Sequence, residues 1–408
     1  MQYAPQPFFP YRIHPMPYPR STIRLFLIVV AGSLSLAGCG FGYYWQAMTG
    51  HMELMRSTSP VADVIADPQI SSAWRQKLID AGVAVNFAHE QLFLPDNGSY
   101  TQFADIDRPY VVWNVVAAPP LSLAPQTWCF PVAGCVSYRG YFSRENAQAF
   151  ADELSAAGHD VFVGGVAAYS TLGRFADPLL NTMLNMPDDR LAGLIFHELA
   201  HQRLYVRDDT QFNEGFAGFV EAEGIRRWLL NRGDEAALCR YRLERERRRQ
   251  VLDMLGAIRA ALGSVYAQDI PDAEKLAAKA ELLVTLNVAY DRLQATWDGP
   301  PDFDHWFAAP FSNARFAALA TYADDIPAFA ALFAQSGDDL EVFYRRAAEL
   351  AAEPVDVRRA RLDTLRAAVI RDLSGLSCDA RASEFATTGP ADRGAIRGSA
   401  GSGLPPAH

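Results

Sequence analysis

The chain has no internal repeat, little cysteine or histidine, and no surplus of positive charge. The missing repeat excludes solenoids and propellers, which copy one supersecondary unit at a fixed period. Across 408 residues, 37 Lys and Arg face 47 Asp and Glu, a net charge of −10, so nucleic acid is not expected as a partner. The apolar stretch from Ile23 to Ala37, interrupted by Arg24, falls short of the roughly 20 residues that a comfortable membrane span needs. Half of the residues are hydrophobic, which is enough to bury a substantial core, and one catalytic unit with a helical extension is expected.

Two of the eight histidines stand four apart in His197-Glu198-Leu199-Ala200-His201. Pro187, Asp188 and Asp189 begin a helix there, and Leu191, Leu194, Ile195 and Leu199 continue it. On that helix His197 and His201 share one face and can offer nitrogens to a single ion. Glu198, offset by one position, can stand beside the ion's water as general base. A third ligand has to come from elsewhere, leaving one tetrahedral position open. Glu214, in Asn213-Glu214-Gly215-Phe216-Ala217, is the candidate. Asp208, Asp209 and Thr210 can cap its helix, and Gly233 can stop it. Two turns on, Glu221 is read either as a support for a ligand or as an anchor for a substrate amine, with an exposed acid as the plain alternative. Glu223 is the weaker alternative ligand. Gly193, one turn before His197, is expected to leave space for metal and substrate, since glycine in a helix costs on the order of 1 kcal/mol. The cofactor expected is Zn2+.

The N-terminus points to export. Basic residues precede the apolar stretch, and Leu36-Ala37-Gly38-Cys39 reads as a bacterial lipobox, so residues 1–38 are expected to be a signal peptide. Cleavage before Cys39 would leave a lipidated cysteine that ties the protein to a membrane surface. A buried helix over 23–38 is the alternative. Gly40, in place of an aspartate, favours the outer membrane, facing the periplasm. The Pro- and aromatic-rich residues 1–20 make Met16 an alternative start. Removing 1–38 takes away three Arg and no acid, which deepens the negative balance to 34 against 47. An exported location permits disulfides, and Cys129 with Cys135 is the natural first pair; Cys239 and Cys378 remain.

The pair HELAH and NEGFA resembles the gluzincin metallopeptidases, including aminopeptidase N-like enzymes, in which the Glu of a similar segment is the third zinc ligand. That resemblance implies His197, His201 and Glu214 as ligands and Glu198 as base. The linker is shorter here, and the exopeptidase GxMxN segment is not visible. The chain is more similar to the predicted aminopeptidases found as bacterial lipoproteins, through the lipobox, Tyr138-Arg139-Gly140-Tyr141-Phe142 and Ala168-Tyr169-Ser170-Thr171-Leu172-Gly173, over roughly residues 36–375. Asn313-Ala314-Arg315 and Tyr322 resemble a downstream segment of that family; Tyr322 is read as a core residue, with an approach to the oxyanion as the alternative.

The expected fold is α+β and predominantly helical, with a zincin-like core, a small sheet beside the HExxH helix and a helical C-terminal part. Helices are predicted near 47–57, 71–81 and 143–157, strands over 108–117 and 161–163, and a long helical pair over 236–266 and 273–296. Tyr169 to Leu172 is read either as a strand edge for an extended peptide, with Tyr169 touching substrate, or as plain structure. The arginine run from Arg240 to Arg249 is read as a solvated helix face. The catalytic region is placed at 39–233, the helical region at 234–375 and a tail without fold at 376–408. The expected function is a zinc peptidase acting on peptides in the bacterial envelope, an aminopeptidase first; an endopeptidase, or an envelope lipoprotein that binds without turnover, are the alternatives.

Overall fold

A computed structural model of the chain describes residues 42–130, 134–298, 303–323 and 325–369, without the side chains of 305 and 320–323. The lipobox with Cys39, the side chain of Tyr322, Cys378 and the tail lie outside the described residues. Two compact units are formed, Met1–Gly50 and His51–His408. Residues 42–50 of the first are helical. The second is predominantly helical with small sheets.

In the second unit, β1 (Ser59–Pro60) and α1 (Val61–Ala66) lead to α2 (Ser72–Gln91), capped by Ser71, whose side chain accepts from the Trp74 N–H. The sequence predicted an end near residue 81. The helix continues because Leu78, Ala81, Ala84, Val85, Phe87 and Ala88 form one buried face, which outweighs the roughly 1 kcal/mol helix penalty of Gly82. Then follow β2 (Gln102–Ala104), β3 (Val112–Ala118), β4 (Trp128–Phe130), β5 (Gly134–Val136), β6 (Arg139–Tyr141), α3 (Arg144–Ala156), β7 (Asp160–Val166), β8 (Leu179–Leu180) and α4 (Asn181–Leu184). β3 lies between β6 and β7, antiparallel to both, and β2 joins β1 to β8. Strand alternation sets the layers. Val116 and Ala118 meet Ala314 and Ala318 on one side, while Trp113, of opposite parity, lies under the Arg144 guanidinium of α3. The predicted α3 is found with Ser143 as its cap and Gly158 at φ +88° after its end.

Tyr169 to Leu172 does not continue β7. The Asp177 carboxylate takes the Thr171 N–H and hydroxyl (3.1 and 2.7 Å), and Leu172 turns to φ +56°, so the backbone leaves the sheet. The edge-strand expectation is therefore corrected.

Two helices, α5 (Asp188–Arg203) and α6 (Thr210–Asn231), form the centre of the main core, packed by Phe196, Phe212, Phe216, Leu194, Ile195 and Leu199 among others. α7 (Glu235–Tyr266) and α8 (Asp272–Gln294) are the predicted long pair and share a second core with Trp306, Phe311 and Phe316. There the solvated reading of the arginine run fails in part. Arg247 is buried and donates to the Asp298 carbonyl, and the Arg248 guanidinium lies over the Trp306 ring; Arg240, Arg242 and Arg249 are exposed. The chain closes with α9 (Asp304–Phe307), α10 (Asn313–Ala323), α11 (Ile326–Ala334), α12 (Leu340–Ala352) and α13 (Val355–Val369). Among the described residues no helix is long and apolar enough to cross a membrane.

Candidate metal centre

α5 begins with Asp188 and Asp189 in its first turn, and Lys77 of α2 holds Asp188 by an ion pair of 2.5 Å. Its apolar residues are buried nearly all round, so the two histidines at its C-terminal half are carried inward: His197 is 4% exposed and His201 7%. α6 starts where the Asp209 side chain accepts from the Phe212 N–H, which sets Glu214 in its second turn, equally buried.

The three predicted ligands converge. His197 Nε2 lies 3.1 Å from His201 Nε2, and Glu214 Oε2 lies 3.3 and 3.7 Å from these two nitrogens. A tetrahedral zinc with ligand bonds of about 2.0–2.2 Å separates its donor atoms by roughly 3.3–3.6 Å. The donor set and its spacing therefore fit zinc. Electrostatics fits as well: two imidazole lone pairs directed at one point in a buried place need a cation between them. Without a metal a proton plays that part. Burial alone would push the His197 imidazole down, but hydrogen bonds and charge from Glu214 and Glu221 raise it to about 10. Burial likewise favours a neutral Glu214, yet the two imidazoles hold it at about 2.

Glu221 resolves into one of its two expected roles. Its Oε2 lies 3.2 Å from His197 Nδ1, on the ring nitrogen away from the other ligands. Such a carboxylate fixes the tautomer and aims Nε2. The contact suits the first of the two expected roles, a carboxylate standing behind His197. Glu223 faces elsewhere and is held by Arg226 and Arg227 at 2.7 Å each, so it is no alternative ligand. Gly193 also needs correction. A Cβ there would meet Ile225 Cδ1 at 2.5 Å and Glu221 Cγ at 3.3 Å. The glycine lets α6 approach α5 and does not open room for substrate.

Glu198 is partly exposed and has no hydrogen-bond or ion-pair partner among the described residues. Tyr169 does not join the ligands; its hydroxyl lies 3.2 Å from His51 Nδ1 and its ring packs on Phe142. Asn313 and Arg315 serve the scaffold, binding the Pro119, Pro120 and Ala309 carbonyls.

Several contacts around the centre carried no sequence signal. Gln202, next to His201, donates to Asp177 Oδ2 (3.1 Å) and Ser99 Oγ (3.3 Å) and accepts from Asn97 Nδ2 (2.7 Å), tying the 97–101 and 170–177 segments to the end of α5. Burial raises the Asp177 carboxyl, partly opposed by bonds from Thr171 and reinforced by the Glu198 charge. Tyr100 is buried at φ +66°, its hydroxyl without a hydrogen-bond partner among the described residues, and burial followed by the Glu198 and Asp177 charges pushes it well above its ordinary value. The Asn213 side chain spans the α5–α6 connection, accepting from Val206 N–H (2.7 Å) and donating to its carbonyl (2.8 Å). Asp209 is buried against Arg358 at 2.8 Å and also pairs with Arg359. All of these join residues distant in sequence or loop positions without periodicity.

Residues 42–362 match the family described as "Putative aminopeptidase". The chain belongs to that family. The matched span holds both ligand helices and the Glu198 position. No curated protein and no solved structure matches the chain.

Proposed function

We propose that the protein is a zinc-dependent peptidase, an aminopeptidase in accord with its family, that hydrolyses peptides in the bacterial envelope. The observation that carries this reading is the convergence of His197, His201 and Glu214 donor atoms at 3.1–3.7 Å, with Glu198 partly exposed on the same helix as the two histidines. His197, His201 and Glu214 hold the ion, and Glu221 aims His197. Zinc, when bound, polarises a carbonyl and makes water acidic enough to lose a proton near neutral pH. The Glu198 carboxylate accepts that proton as the water oxygen bonds to the amide carbon, then delivers it to the amine as the C–N bond breaks. The buried walls around the two histidines keep the site's dielectric low, which strengthens each of these contacts. The lipobox supports an anchor at Cys39 on the periplasmic face of the outer membrane.

The test is metal analysis of the mature protein joined to cleavage of a peptide library in free and N-acetylated forms. Wild type should carry zinc and cleave free peptides from the N-terminus. Glu198→Gln should keep the zinc and lose about 10²- to 10⁴-fold in rate. Internal cleavage of both peptide forms would replace aminopeptidase by endopeptidase, an outcome to which the engagement of Glu221 with His197 lends weight. Zinc binding with no Glu198-dependent cleavage would favour a binding lipoprotein.

A further inference from the structure

Between the two ligand helices runs a connection of six residues, 204–209, whose conformation sets where Glu214 stands relative to His197 and His201. It is braced on its inner side by Asn213 and by the Asp209 ion pairs. The outer side is braced by something remote in sequence. β4 and β5 form an antiparallel hairpin in which Cys129 stands opposite Cys135 and is joined to it by a disulfide. The hairpin reaches the connection at Asp208: the Cys135 N–H donates to Asp208 Oδ1 at 2.6 Å. Gly134, at φ +77°, is so close that a Cβ would collide with Asp208 and would lie 2.8 Å from the Arg207 side chain. Asp208 is itself in the left-handed region, φ +65°, a conformation that costs on the order of 1 kcal/mol or more for a non-glycine residue and persists only where neighbours hold it.

We infer that the disulfide-joined strand pair β4–β5 is a clamp on the 204–209 connection, with Asp208 as its positioning residue, and that it tightens the metal centre by holding the histidine pair and Glu214 in register. The inference rests on the zinc reading of that centre. Its physical content is preorganisation. With the disulfide intact, the hairpin presents its Cys135 N–H at a fixed place, and Asp208 keeps its strained backbone. With the disulfide reduced to two thiols by an added phosphine, which is itself oxidised, the hairpin gains conformational freedom and the connection loses its outer brace. Cys129 is exposed, so a reductant can reach the bond. Cys239, on α7, is not part of this disulfide.

The clamp is tested on the full mature chain by measuring zinc affinity with a competing chromophoric chelator, before and after reduction with a phosphine. Reduction, the paired change Cys129→Ser with Cys135→Ser, and Asp208→Ala with the disulfide intact should each weaken zinc binding by roughly 10-fold, the lower end of what outer supports of metal ligands contribute. The phosphine should have no further effect on the paired serine variant. Amide hydrogen exchange over 204–210 in metal-free protein gives a second readout, and should speed up on reduction; it keeps the clamp testable where the serine pair folds poorly. Equal zinc affinity and equal exchange in oxidised and reduced wild type would overturn the clamp and leave the zinc reading standing. Absence of zinc binding by oxidised wild type would overturn the zinc reading, and unchanged exchange would then remove the clamp as well.

Discussion

Glu221 draws its proposed role from its place behind His197. Its carboxylate meets His197 Nδ1 at 3.2 Å, and removing it leaves the imidazole without the acceptor that fixes its tautomer. Glu221→Ala should therefore weaken zinc binding about 10- to 100-fold with no large change in fold, as read by chelator competition and circular dichroism. Unchanged affinity would reduce Glu221 to a bystander. Gly193 tests the packing of the same corner. The space a side chain would need is already filled by Ile225 and Glu221, so Gly193→Val should destabilise the protein by on the order of 1–3 kcal/mol in urea unfolding. Had the glycine served substrate access, the substitution would lower activity and leave stability alone.

Elements are held at their ends by buried charge. Asp209 caps α6 and pairs with Arg358 and Arg359 of α13, joining the connection of the ligand helices to the last described helix. Truncating one partner of a buried pair strands the other, so Asp209→Ala should cost about 3–5 kcal/mol in urea unfolding. A loss below about 1 kcal/mol would mean that the pair gives little to the fold. Glu223 fastens α6 internally through Arg226 and Arg227. Burial tends to raise its carboxyl, but the two guanidinium groups more than offset this and hold it below its ordinary 4.5. A carboxyl depressed in the folded state contributes stability that is complete above the unfolded pKa and lost as pH falls through the folded one. Wild type should thus exceed Glu223→Gln by roughly 1–2 kcal/mol at neutral pH. The gap should narrow as pH falls below the ordinary glutamate value and vanish once the folded carboxyl is protonated; a gap that does not narrow in acid would assign the effect to shape.

For the whole molecule, the family match over residues 42–362 and the described fold cover the same stretch. The proposed anchor lies before it. Mature protein should begin with an acylated Cys39 and partition with membranes, and Cys39→Ser should move it to the soluble fraction. Mass spectrometry finding an unmodified Cys39 on mature protein would reject the anchor.

Helix existence, the shared His197–His201 face and the Cys129–Cys135 pair were legible from local order alone, whereas Glu214 as candidate third ligand leaned on the resemblance of its Asn213–Ala217 segment. Periodicity, caps and four-residue spacing are properties of consecutive residues, and a disulfide across six positions needs only a tight hairpin. Only tertiary structure decided the rest. α2 outruns its predicted end because its buried face finds α5; Arg247 leaves solvent because α7 packs on a second core; Tyr169 leaves the sheet because Asp177 captures Thr171. The meeting of Glu221 with His197 Nδ1 belongs to the same class, since sequence does not say which groups a carboxylate's oxygens meet. Those partners lie 24 residues away for Glu221 and 73 for the Cys135–Asp208 contact. No local pattern encodes such separations; they follow from how helices and hairpins stack when apolar faces are buried together.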